Sequence, residues 1–270
     1  MKRAVAFIVL LAASLPAYAT NYYVAANGSD KNNGASMNTP FQTIAKLNTL
    51  VLKPGDNILF KRGDIFRGQL TIRQAGTAAK PLTITAYGSG DLPVICGSEY
   101  INNWILHKGH IYKAALNVDP NMVFLKGALN LPARYPNTGF LTIDKANGKK
   151  GFYDAELTQP NGFWAGATLH NRMARWQYGE HTVKSFADGQ VALTKPAEFD
   201  FTNGWGFYFS NKMEVLDTAG EFYYNPSQHQ LYLWSASLPT NNSVEASVYE
   251  CGINCENYEN AGYICISNIN

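Results

Sequence analysis

The stretch LHNRMARWQYGEH, Leu169 to His181, crowds His170, Arg172, Arg175, Trp176 and His181 into what reads as one strand and the turn after it. These side-chain types suit sugar recognition: aromatic rings stack on pyranose faces, and a guanidinium forks an acidic group through paired N–H donors. A core position for Trp176, with solvated arginines, is the competing structural account. Arg134 stands directly before the turn Tyr135-Pro136-Asn137 and joins the set, again with structural pairing as its alternative. The candidate substrate-binding residues are therefore Arg134, Arg175, Trp176 and His181.

Carboxylates are the second chemistry to look for. Splitting a glycosidic bond commonly takes two of them, about 5–10 Å apart. Asp217 and Glu221 in LDTAGEFYYN are four residues apart, but their surroundings read as strand and turn, where hydrogen bonding to the turn is the better account. DKNNG, Asp30 to Gly34, lacks the spacing and the distal Glu of a calcium loop and fits an Asx turn. The four cysteines, Cys96, Cys251, Cys255 and Cys265, are too sparse for a disulfide scaffold. No neighbouring Cys or His completes a metal set around them. Cys96, Cys255 and Cys265 stand where strands carry Ile or Val, so they read as small buried apolar residues. No metal ligand is assigned and no cofactor is expected.

The N-terminus reads as an export signal. Lys2 and Arg3 precede the apolar run Val5–Leu11, and Ala17-Tyr18-Ala19 gives a small-x-small cleavage site, so the mature chain is expected to begin at Thr20. The run is shorter than the roughly 20 residues a bilayer-spanning helix needs. This predicts a secreted or periplasmic protein with no membrane anchor. Of 22 basic and 20 acidic residues, two basic ones fall in the signal, leaving the signs balanced. A balanced chain offers no footprint for nucleic acid.

The elements that must hold these residues are mostly strands. In TPFQTIAKLNTL, Thr39 reads as an N-cap, Pro40 as the first helical residue and Gln42 as the capping-box partner. Phe41, Ile44 and Leu47 would then share one face. After it, the apolar pairs Ile58/Phe60, Leu70/Ile72, Leu82/Ile84 and Val94/Cys96 start at intervals of 12 residues. That spacing fits a sandwich of hairpins as well as a parallel solenoid with strands two apart stacked in register. Alternation returns at Val244/Ala246/Val248, Ile253/Cys255 and Ile264/Ile266. All five tryptophans lie between these stretches, among irregular, turn-rich strands.

The stretch YYVAANGSDKNNGASMNTPFQTIAKLNTLVLKPGDNILFKRGDIFRGQLTI resembles the N-terminal cap and first coil of secreted bacterial right-handed parallel β-helix proteins of the pectate-lyase-like superfamily. KPLTITAYGSGDLPVICGS is similar to their next coil. NWI, IYKAAL, VFLKG, ARYPNTG and VLDTAGEFYYNPSQHQLYLW are similar to a β-domain inserted in a subset that includes several glycoside hydrolases, and YECGINCENYENAGYICISNI to the return. The resemblance implies an all-β fold: a signal peptide over 1–19, a cap with a short helix and the first coils over 20–96, an inserted aromatic-rich barrel- or sandwich-like domain over 97–240, and resumed coils over 241–270. Such proteins continue for many coils, so it also implies a truncated N-terminal part, with catalytic residues beyond Asn270 and no activity of its own. The implied partner is a polysaccharide or oligosaccharide. Hydrolysis of plant or algal polysaccharide leads, with β-elimination by a lyase (calcium then becoming possible) and non-catalytic glycan binding as the alternatives. The oligomeric state stays open.

Overall fold

The computed structural model describes residues 19–256 and 262–270. The expected export signal therefore lies, but for Ala19, outside the described residues. The protein is all-β, with one α-helical turn and one 3-10 turn among the described residues. It divides into two compact units, one holding the described residues up to Gly97 and from Tyr249 onward, the other Ser98–Val248.

The first unit is built of parallel ladders. Strand Asn57–Lys61 pairs with Leu82–Tyr87, Ile58 opposite Ile84, while Asn21–Val24 lies on its other side. Ile264–Ile266 extends the same sheet, with Ile264 opposite Leu82 and Ile266 opposite Ile84. Ile65–Arg67 pairs with Val94–Cys96, and Leu70–Ile72 with Ile253–Cys255. Each turn of chain thus contributes three strands. The 12-residue spacing suggests two, because Ile65–Arg67 buries only Phe66 and leaves Ile65 exposed, so it shows no apolar pair. Val94–Cys96 consequently stacks on Ile65–Arg67, and the partner of Leu70–Ile72 arrives only after the second unit.

Side-chain alternation along these strands sends Ile58, Phe60, Leu70, Ile72, Leu82 and Ile84 into one core. Full burial of each contributes about 1.5–3 kcal/mol. Gly76 allows two turns of chain to touch: a Cβ there would stand 2.5 Å from the Tyr263 carbonyl oxygen.

The helix is shorter than its sequence suggests, Ile44–Leu47, and its N-cap is Thr43, whose hydroxyl accepts the Lys46 N–H. Thr39 and Pro40 lie outside it because Phe41 is held in extended backbone by a bridge to Val24. Phe41, Ile44 and Leu47 nevertheless all reach the core. Asp30, in the stretch read as an Asx turn, accepts hydrogen bonds from Gln42 N, Thr43 N and the Thr43 hydroxyl instead. Its carboxylate fixes the entry to the helix.

Among the described residues no disulfide is formed. Cys96 and Cys255 are half-buried, but Cys265 is exposed, because Ile264 takes the more buried face of that strand.

The second unit consists of two eight-stranded sheets. Val244–Ser247, expected with the resumed coils, pairs instead with Ser98–Tyr100 and Val123–Leu125. The sheet that matters here runs Arg134–Tyr135, Gly206–Ser210, Thr168–Ala174, Gln177–Ala187, Gln190–Leu193, Gly151–Tyr153 and Lys145–Ala146, antiparallel throughout. Under it lies an aromatic core in which Trp164 stacks on Phe209 at 4.3 Å and Phe207 packs on Phe152 at 4.6 Å.

Candidate functional site

The residues Leu169 to His181 form two strands and the turn between them, not one strand with a turn after it. Ala174 faces Gln177, which leaves Arg175-Trp176 as a two-residue hairpin turn. The sequence hides this because the pair carries none of the Asn-Gly or Asp-Gly chemistry by which such turns are recognised.

Register then sorts the candidates. Arg134 lies opposite Ser210, and Ser210 opposite Thr168. His170 lies between Tyr208 and Glu180, and Arg172 opposite Tyr178. With a side-chain period of two, Arg134, His170, Arg172, Tyr178, Glu180, Tyr208 and Ser210 share the outer face of this sheet. His181 pairs with Leu169 and points to the core side, its ring 6.0 Å from Phe201 and its Nε2 buried. Arg175 and Trp176 stand at the hairpin tip, where Trp176 is 83% exposed. The four candidate residues therefore occupy three places: the outer face, the tip and the core side.

Arg134 is tightly held. Its Nε donates to the Pro136 carbonyl at 2.9 Å and its Nη2 to the Gly139 carbonyl. Its guanidinium carbon lies 3.8 Å from the centroid of the Tyr208 ring and 5.7 Å from that of Phe140, within cation–π range. Two carboxylates clamp this segment from beneath. Glu221 accepts the Arg134 backbone N–H, and Asp217 accepts from the Asn137 side chain at 2.8 Å. The turn-bonding reading of Asp217 and Glu221 fits that geometry.

The face has a polar centre and an aromatic rim. His170 stacks on Tyr208, rings 4.4 Å apart and 6° from parallel. Its Nε2 is 2.7 Å from Ser210 Oγ, and its Nδ1 is 3.2 Å from Glu180 Oε1. Burial lowers the His170 pKa and Arg134 adds to this, while Glu180 opposes them. Burial raises the Tyr208 pKa, against Arg134. A pocket of about 270 Å³ opens beside Ser210, lined among others by Thr168, His170, Glu180 and Asn211. Exposed Phe140 and Tyr178, rings 6.5 Å apart, form the rim. Arg172 packs over Trp205 and donates to the Ala174 and Arg175 carbonyls, which braces the tip.

Sequence reasoning missed Tyr208, Ser210, Glu180 and Phe140. The period-two alternation of GFYFS was the available signal, but it gives no partner strand. Among the described residues no cluster of His, Cys, Asp or Glu is arranged to hold a metal ion.

No family model matches the chain. A lacto-N-biosidase of Bifidobacterium longum subsp. longum is 43% identical over 86 residues, which is 29% of this chain and 5% of that protein. A solved glycoside hydrolase superposes with a TM-score of 0.70 across 93% of this chain and 50% of its own, at 16% identity. That likeness is one of fold. A lacto-N-biosidase of glycoside hydrolase family 136 from Eubacterium ramulus is 34% identical over 31% of this chain and 14% of its own, with a TM-score of 0.28. The chain thus spans half of the solved glycoside hydrolase and a twentieth of the Bifidobacterium protein.

Proposed function

We propose that this chain is the N-terminal part of an exported glycoside hydrolase, and that its second unit recognises the sugar. The observation that carries the reading is the outer face of that unit. Phe140 and Tyr178 present exposed aromatic surface there, Phe140 beside Arg134, whose guanidinium is pinned on Tyr208, and Trp176 adds an exposed ring at the hairpin tip. Aromatic faces held in place by a rigid sheet suit stacking on pyranose rings, and a fixed guanidinium suits an acidic or oxygen-rich edge. The fold likeness to a glycoside hydrolase and the partial identity to a lacto-N-biosidase support the same class.

The first unit, in this reading, is the start of a right-handed parallel β-helix of the pectate-lyase-like type, which its three parallel ladders support. Export follows from the leader read in the sequence. Hydrolysis itself is assigned to the whole protein. Glycans containing lacto-N-biose are the first substrates to test, because of the biosidase likeness, followed by plant and algal polysaccharides.

The experiment is titration of these glycans against the purified chain by calorimetry, alongside product analysis of the full gene product. Saturable binding that is weakened by W176A and by Y178A, with reducing ends released by the full product, is the expected result. Unsaturated, calcium-dependent products would replace hydrolysis by elimination. Binding unchanged by both substitutions would remove the outer face from the reading.

A further inference from the structure

Ser210, His170 and Glu180 are connected in the order that activates a serine. Ser210 Oγ lies 2.7 Å from His170 Nε2, and His170 Nδ1 lies 3.2 Å from Glu180 Oε1. An imidazole held by a carboxylate at Nδ1 keeps its other nitrogen as the base toward the hydroxyl, whatever fold supplies the three groups. Three adjacent strands supply them here, Gly206–Ser210, Thr168–Ala174 and Gln177–Ala187, so the geometry is set by sheet register and not by a mobile loop. Stacking on Tyr208 fixes the plane of the imidazole. Burial and Arg134 both favour its neutral form, which is the form a base requires. All three residues line the 270 Å³ pocket. Asn211 follows Ser210 with a φ of 59° and lines the pocket too.

We infer that the second unit carries an acyl-ester hydrolase site with Ser210 as nucleophile, His170 as base and Glu180 as positioning residue, acting on short acyl esters of carbohydrates. The pocket volume sets the small acyl group, at or below the roughly 300 Å³ at which pockets for drug-sized ligands begin. The carbohydrate half rests on the sugar-binding reading of the same outer face. In the first step Ser210 Oγ bonds to the ester carbonyl carbon while its proton passes to His170 Nε2. The bond from that carbon to the sugar oxygen breaks, and the sugar oxygen takes the proton. In the second step water, deprotonated by His170, attacks the acyl-serine. The carbon–Oγ bond breaks, Ser210 regains a proton, and the carboxylic acid leaves. Water is the only co-reactant.

The test uses the wild-type chain first. A fluorophosphonate probe should label Ser210, located by peptide mass spectrometry, and p-nitrophenyl acetate should be turned over. S210A and H170A should each lower that turnover about a hundredfold or more. E180Q should lower kcat with little change in KM. S210C is the second nucleophile variant, and a thiol reagent should modify it faster than it modifies the native cysteines. Absence of label at Ser210 in the folded wild type, or turnover unchanged in S210A, overturns the site. Label and ester turnover without acetate release from O-acetylated oligosaccharides keeps the site and overturns the carbohydrate substrate. Acetate release with no saturable glycan binding that W176A or Y178A weakens keeps the site and overturns the proposed aromatic sugar-binding surface.

Discussion

The carboxylate of Glu221 accepts the backbone N–H of Arg134 at 3.3 Å while only 5% of the residue is exposed. Its second oxygen, Oε2, is buried without a hydrogen bond. Burial, with the charge of Asp217, outweighs the backbone N–H groups of Arg134, Asp217 and Thr218 and pushes the carboxyl up to about 7 from 4.5.

A pH dependence follows from that pair. Between about 4.5 and 7 the native Glu221 holds its proton while the unfolded one has lost it, so the native state binds more protons. Stability of the second unit therefore falls as pH rises through that window and levels off above it, by at most about 3 kcal/mol. Urea unfolding of wild type and E221Q at a series of pH values checks this. The difference between them should change across the window, and a constant difference would contradict it.

At the helix entry the sign is reversed. Burial alone would raise the Asp30 pKa, but hydrogen bonds from Thr43 and Gln42 outweigh it and hold the carboxyl below its usual 3.8. The native state then binds fewer protons than the unfolded one, so this contribution is present above 3.8 and is lost as pH falls below it. D30A should lower stability by about 1 kcal/mol at neutral pH, the scale of a lost helix cap. The gap from wild type should close under acid, as read by thermal melts.

Trp176 separates binding from folding. Being 83% exposed at a turn, it contributes little to packing. W176A should leave unfolding free energy within about 0.5 kcal/mol of wild type. Glycan affinity should fall roughly tenfold, the scale of an interface aromatic. Paired denaturation and calorimetry decide this, and a large stability loss would assign Trp176 to packing.

Trp164 provides the opposite case. Fully buried, it stacks on Phe209 and meets Phe163 edge-on at 4.7 Å. W164A should cost about 3–5 kcal/mol, the range for deleting a buried large aromatic. Chemical denaturation should show it, together with loss of near-ultraviolet circular dichroism.

The all-β class, the strand positions around Ile58, Leu70, Leu82 and Val94, and the apolar face Phe41/Ile44/Leu47 are all legible in the sequence. Side-chain alternation and turn chemistry are local properties, and an isolated stretch displays them before it has any neighbour. The sequence also singles out Arg134 and the Leu169–His181 stretch, because arginine and tryptophan are conspicuous there. Pairing is not local. That Leu70–Ile72 takes Ile253–Cys255 as its partner, 183 positions away at Leu70, depends on hydrogen bonds closed only in the folded chain. Whether His170 faces Ser210 or the core is a question of register, and a slip of one residue would exchange the faces. Residue types thus determined which chemistries were available. Strand register in the tertiary structure decided that His181 goes to the core side, while His170, Glu180 and Ser210 meet within hydrogen-bond reach.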